Sequence, residues 1–175
     1  TGFASGGVMA KTTDGGLTWN QVYSAANDYF YVVHVNPNGQ GYAAGNGGVF
    51  IKTSNFGQTW QSQPDLGDGD IFCGDHVSDN AAYMMGKLNI HKSSNGGSSW
   101  TVIKNAIQGG GITAMQFSSD TQGTAVSVPG GGTFYGGIAQ TNDGGKLWNI
   151  RQTATSGGWY AVDFPTPQVG YVLGT

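Results

Sequence analysis

The chain contains no glutamate: all ten of its acidic residues are aspartate. Glutamate suits exposed helix surface and aspartate suits turns, so a helical fold is a poor fit. Basic residues are scarce as well, six lysines and the lone Arg151 spread along the chain, and the formal net charge is -3. Without a basic stripe to neutralise phosphates, nucleic acid is not an expected partner. A single cysteine, Cys73, excludes an intrachain disulfide and a thiolate metal cluster. No apolar run approaches the roughly 20 residues of a membrane helix, so no membrane span is expected. A Walker loop, zinc-ligand spacing and a Ser-His-Asp order are also missing. These absences leave no expected catalytic residue, cofactor or metal.

What the chain does have is glycine, 32 residues of it, with 12% aromatics. That mixture favours short strands joined by tight turns. Four segments share one design: Thr12 to Trp19 (TTDGGLTW), Thr53 to Trp60 (TSNFGQTW), Ser93 to Trp100 (SSNGGSSW) and Thr141 to Trp148 (TNDGGKLW). Each fits Ser/Thr-x-Asp/Asn-x-Gly-x-x-Trp, and the tryptophans are 41, 40 and 48 residues apart, a period that suits a four-stranded propeller blade. The flanks repeat too. An apolar strand (GVMAKT, GVFIKT, LNIHKS, GIAQT) precedes each box, a Gly-rich turn such as that in GYAAGNGG lies before it, and YVVHV, IFCGD, ITAMQF and YAVDF supply first strands.

Each box has a physical logic. Asp14, Asn55, Asn95 and Asp143 are placed to accept hydrogen bonds from amides two or three residues on. Gly16, Gly57, Gly97 and Gly145 are expected at positive φ, where a β-carbon is costly. Trp19, Trp60, Trp100 and Trp148 then anchor the last strand against the neighbouring sheet. The boxes are read as structural and as facing away from the binding rim.

The pattern resembles the Asp-box, or bacterial neuraminidase (BNR), repeat found in sialidases, sortilin-type receptors, xyloglucan-degrading glycoside hydrolases and photosystem II assembly-factor-like proteins. From Tyr31 to Trp60, GQGYAAGNGGVFIKTSNFGQTW included, the chain is most similar to the photosystem II stability and assembly factor family, whose blades carry a Gly-aromatic strand followed by G-x-I-x-x-T-x-D-G-G-x-T-W. The likeness recurs in every blade. It implies an all-β fold of four-stranded antiparallel blades within one domain: a partial blade at 1–23, blades at 29–62, 70–104 and 112–151, and a half blade at 158–174. The two incomplete blades either close a small ring or belong to a larger propeller, and a segment of a larger propeller is the expectation.

The rim opposite the boxes is expected to carry 24–29, 45–48, 63–70, 105–111, 129–137 and 152–158. The long turn PGGGTFYGG places Phe134 and Tyr135 on a Gly-rich arm, suited to sugar stacking or a protein hot spot, unless the arm folds back and buries both rings. Tyr29 and Trp159 complete the candidate contact residues. Five of the ten carboxylates fall within 65–79. Asp65, Asp68 and Asp70 there read as a solvated loop, with calcium as the alternative. Cys73 aligns with Val33, Met115 and Val162 in an apolar column, and His34 aligns with Gln116 and Asp163 in a polar one.

Sialidase chemistry is rejected because that family uses three arginines and a Tyr-Glu pair, and this chain has one Arg and no Glu. The resemblance implies a non-catalytic scaffold that binds a protein complex, a photosystem component or assembly intermediate, from the thylakoid lumen or another extracytosolic compartment. One departure is Arg151, solitary where that family is expected to present an arginine-rich patch. The alternative is a secreted carbohydrate-binding propeller or a segment of a xyloglucanase-like glycoside hydrolase.

Overall fold

The computed structural model describes residues 1–87, 89–104, 111–128, 136–153 and 157–175. Among these residues the chain forms five antiparallel sheets in succession. The first holds β1 (Gly2–Ser5), β2 (Met9–Thr12) and β3 (Asn20–Tyr23), and the second β4 (Phe30–Val35), β5 (Gly41–Gly45), β6 (Phe50–Thr53) and β7 (Gln61–Ser62). The third holds β8 (Ile71–His76), β9 (Ala82–Gly86), β10 (Asn89–Ser93) and β11 (Thr101–Lys104), and the fourth β12 (Gly111–Phe117), β13 (Gly123–Val128), β14 (Gly137–Thr141) and β15 (Asn149–Thr153). β16 (Trp159–Thr166) and β17 (Val169–Gly174) make the fifth.

Every sheet is a meander, because tight Gly- and Asx-rich turns return each strand beside the one before it. The leading strands β4, β8, β12 and β16 contact one another in series. They are therefore the inner strands of a radial stack, and the sheets are consecutive β-propeller blades.

The core lies between the sheets. Met9, Phe30, Ala43 and Ile51 fill the first interface, Val32, Tyr42, Phe50, Ile71 and Met84 the second, and Tyr83, Met85, Ile90, Met115 and Phe117 the third. β5 (GYAAG) and β9 (AYMMG) are buried at every residue, as central strands covered on both faces must be. Tyr83 stacks on Phe117 across the third interface, with centroids 3.7 Å apart and rings 3° from parallel.

The second, third and fourth box turns rest on the preceding sheet, Gly57 facing Phe3, Gly97 facing Tyr42 and Gly145 facing Ile90. Trp60 meets Phe3 edge to face at 6.2 Å, and Trp100 meets Tyr42 at 5.1 Å and Phe50 at 6.2 Å. Trp19 belongs to the first sheet and is 48% exposed, whereas Trp60, Trp100 and Trp148 are partly buried against the core.

Candidate functional site

Two rims flank the stack. The boxes share one with the β4–β5, β8–β9 and β12–β13 turns, as the backbone bonds Phe56 N to Gly39 O, Gly96 N to Asn80 O and Gly144 N to Thr121 O require. The other carries the links between sheets and the second hairpin turn of each sheet.

At the box rim the first hydroxyl and the Asx side chain of each box hold its turn. The Oδ1 atoms of Asp14, Asn55, Asn95 and Asp143 accept the amides of Thr18, Thr59, Ser99 and Leu147 at 2.9–3.0 Å. Capture therefore spans four residues, not the two or three expected from Asx turns, although Asp143 also takes the Lys146 amide three residues on. The box's first hydroxyl accepts the amide of Gly16, Gly57, Gly97 or Gly145 at 2.8–3.0 Å, and those glycines have φ of 96, 70, 83 and 90°. Hydrogen bonds from the Thr18 hydroxyl and amide hold the Asp14 carboxyl well below its usual range. The Leu147 amide does the same for Asp143. Lys11, Lys52 and Lys92 reach across to Phe56 O, Ser98 O and Asp120 O of the following sheet at 2.6, 2.8 and 3.0 Å. In the fourth sheet Gln140 takes the place of the lysine and accepts from Arg151 Nε at 3.0 Å. Beside it opens a groove of about 260 Å³ toward the fifth sheet, lined by Gln116, Gln122, Gln140, Asn142, Arg151 and Phe164 among others.

The inner strands hold a polar column. His34, Asp75, Gln116 and Asp163 pair with Tyr42, Tyr83, Thr124 and Tyr171 at matching registers. Asp75 Oδ2 accepts the amide of Phe117, and Gln116 Oε1 that of Phe164 at 2.6 Å, so each carboxyl or amide stitches its own sheet to the next. His34 stacks on His76 at 3.5 Å instead. Cys73 occupies the register of Val32, not Val33: it lies two residues before Asp75 as Val32 lies two before His34, and the bulge falls at the same place in both strands. It is buried, and desolvation pushes its thiol up to about 12, which makes it inert.

That bulge recurs in all four inner strands, between Phe30 and Val32, Ile71 and Cys73, Ile112 and Ala114, and Trp159 and Ala161. The extra residues are Tyr31, Phe72, Thr113 and Tyr160. A bulge leaves its extra residue outside the ladder and re-aims the side chain. Accordingly Tyr31, Phe72 and Tyr160 are 52, 40 and 53% exposed. Thr113 instead spends its hydroxyl on Val126 O at 3.2 Å and Trp159 O at 2.5 Å.

Of the expected contact residues, Tyr29 is exposed, its amide bonded to Asn46 Oδ1 at 2.6 Å and Gly7 lying against its ring. Trp159 is partly buried, with Gly174 against its ring, so Tyr160 is the exposed ring of that strand. Phe134 and Tyr135 lie outside the described residues.

The acidic run does not act as one cluster. Asp65 accepts the Gly67 amide at 2.5 Å, and Asp70 accepts Gly47 N at 2.6 Å. Asp68 turns inward, 4% exposed, and takes Asn89 N, Asn89 Nδ2 and His91 Nε2 at 2.9, 3.2 and 3.1 Å. The solvated-loop expectation fails at Asp68, and among the described residues no group of three His, Cys, Asp or Glu is arranged to hold a metal. Sequence reasoning missed His91 because its partner lies 23 residues away.

Comparison with known proteins gives a consistent picture. The family model for the photosynthesis system II assembly factor YCF48 matches residues 2–140. No curated protein sequence matches the chain. Among solved structures, the chain is similar to YCF48 from Cyanidioschyzon merolae, with a TM-score of 0.70 and 16% identity over 98% of this chain and 63% of that one. It is also similar to YCF48 bound to a D1 peptide, with a TM-score of 0.58 and 17% identity over 69% and 40%. The GH74 enzyme of Niastella koreensis scores 0.64 at 17% identity over 88% and 28%. The chain thus spans less than two thirds of the length of each, and these likenesses carry the fold: a segment of a propeller.

Proposed function

The chain belongs to the photosynthesis system II assembly factor YCF48 family, and from that premise we propose that it is a non-catalytic scaffold that binds a photosystem component or assembly intermediate. The observation that carries this reading is the family match across residues 2–140. It is supported by the likeness to YCF48 bound to a D1 peptide, a relative that takes a polypeptide ligand. The physical requirements of such a role are modest: a stiff stack of sheets and a rim on which side chains are free. Interlocked sheet interfaces meet the first and the exposed rings of the inner strands the second. The same kinship supports a thylakoid-lumenal or other extracytosolic setting, with secretion as the alternative. No helix among the described residues is long and apolar enough to cross a membrane.

A second reading, a glycoside hydrolase segment, has one observation in its favour, the likeness to the GH74 enzyme. An inverting pair of carboxyls needs a separation of about 6.5–9.5 Å and one member kept protonated. Asp75 is the carboxyl that burial pushes up, but the amides of Phe117 and His76 already occupy it. That commitment favours the scaffold.

The test is capture. Immobilised chain is exposed to detergent-solubilised photosynthetic membranes and to a tiled set of D1-derived peptides, and in parallel is incubated with xyloglucan. Retention of photosystem II proteins or of a D1 peptide, without release of reducing ends, is the expected result. Xyloglucan cleavage, or no retention of either probe, overturns the proposal.

A further inference from the structure

We propose that the exposed rings at the bulges of the inner strands form a docking surface for a cationic, extended stretch of polypeptide, an inference that rests on the protein-binding role above. Tyr29, Tyr31 and Phe72 stand at 56, 52 and 40% exposure on the link side of the second and third sheets, and Tyr160 at 53% in the fifth. Large rings left in water at equivalent places in successive repeats are costly unless something covers them. Their spacing follows from the architecture. Stacked sheets lie about 10 Å apart, and an extended chain advances about 3.3 Å per residue, so neighbouring bulge positions match side chains three residues apart on a ligand.

Charge selects the kind of ligand. Asp28 immediately precedes Tyr29, Asp70 immediately precedes β8, and Asp65 is exposed in the same link. Lys11, Lys52 and Lys92 are drawn away to carbonyls of the opposite rim, Arg151 is held by Gln140 and Lys146 belongs to the fourth box, so that Lys87 after β9 and Lys104 at the end of β11 are the cations placed on the link side. Aromatic faces beside carboxylates attract ammonium and guanidinium groups through the ring quadrupole and through direct charge. A Lys- or Arg-bearing segment fits this rim, and an acidic one is repelled.

The experiment uses a fluorescein-labelled peptide of sequence GSKGSRGSKGSR and a matched peptide with Glu at each basic position, titrated by anisotropy against wild type and two double variants. Tyr31→Ala with Phe72→Ala should weaken binding of the basic peptide by at least about fivefold. Asp65→Asn with Asp70→Asn should weaken it about threefold and flatten its salt dependence. The melting temperature of the ring variant should stay at the wild-type value, since both rings are solvated. Equal binding of the Glu peptide, undiminished binding by the ring variant, or displacement of the basic peptide by soluble β-glucan would each overturn the inference. The two proposals fail separately: if the ring variant still captures photosystem II proteins as wild type does, the scaffold role stands and the docking surface is refuted. If wild type captures none while binding the basic peptide, the surface stands and the role assigned to it falls.

Discussion

The indole of Trp100 meets the ring of Tyr42 edge to face, 5.1 Å between centroids and 88° between planes, across the boundary of the second and third sheets. Its Nε1 donates to Gly97 O at 3.1 Å, so one side chain closes its own box and seats it on the sheet before. Trp19 makes the same intrabox bond to Gly16 O at 3.1 Å but is 48% exposed. Replacing Trp100 with Ala should therefore cost about 3–5 kcal/mol, and replacing Trp19 only about 1 kcal/mol. Urea unfolding of the two variants checks this, and equal losses would mean that the box alone, not the interface, carries the energy.

The same seat constrains Gly97. Its φ is 83°, and a β-carbon there would lie 2.7 Å from the Tyr42 ring. Gly15 has a similar φ of 77°, with open space around it. Left-handed strain alone costs an L-residue about 1–2 kcal/mol, and overpacking adds about 1–3 kcal/mol. Gly97→Ala should accordingly destabilise the protein by at least about 1 kcal/mol more than Gly15→Ala. Thermal melts of both variants decide the point; matching midpoints would show that Tyr42 yields without cost.

The fold was legible from sequence because its determinants are local. An Asx side chain, a left-handed glycine and a tryptophan within eight positions define each box, and short apolar strands flank it at a repeating distance. The inner-strand bulges were not legible. The extra residue follows from sheet curvature, and nothing in FYVVHV or IFCGDH marks Tyr31 or Phe72 as displaced. Missing the bulge hid the exposed rings, while the offset of Cys73 to Val33 came from matching YVVHV to IFCGD end to end, one residue out of step with the shared start at Phe30 and Ile71. Pairings between distant segments, Asp68 with His91 and His34 with His76, were equally invisible, since each joins residues that share no motif. The proposed role rests on membership of the assembly-factor family, which no spacing of residues could supply.

Asp68 and His91 form a buried hydrogen-bonded pair, 3.1 Å apart and 0 and 1% exposed at the side chains. It ties the link before β8 to β10, beneath the rim that carries Asp65 and Asp70. Removing the carboxylate strands the Asn89 amide and the His91 ring in the core, at about 1–3 kcal/mol for a group left without its partner. Asp68→Ala should lower stability by about that amount. Asp68→Asn, which keeps the shape and part of the hydrogen bonding, should lose less. Chemical denaturation of both variants tests this, and an Asp68→Ala midpoint equal to wild type would mean that water replaces the carboxylate.

His34 and His76 supply a pH dependence whose sign is set by burial. Their rings stack at 3.5 Å and 13° across the second and third sheets. Desolvation pushes both below the usual imidazole value, His76 to about 4 with the neighbouring His34 charge adding to the effect. Asn36, which meets His34 Nε2 at 2.8 Å, and the charges of Asp75 and Asp79 oppose the fall at His34, while Asp79 alone opposes it at His76. Tyr42, the remaining titratable ring against His34, is held above its ordinary value by burial and stays neutral throughout this range. Between about 6.5 and 4 the unfolded chain takes up protons that the folded pair resists, so this contribution is complete above 6.5 and is lost as pH falls toward 4. Asp75 acts in the opposite sense. Burial raises its carboxyl, so protonation in acid favours the folded state and recovers part of the loss. His76 shares its register with Phe117 of the next sheet, which makes His76→Phe the natural replacement. Wild type should lose stability between pH 7 and 5 in urea titrations, and His76→Phe should lose markedly less over the same interval. Parallel pH profiles for the two proteins would place the proton uptake elsewhere.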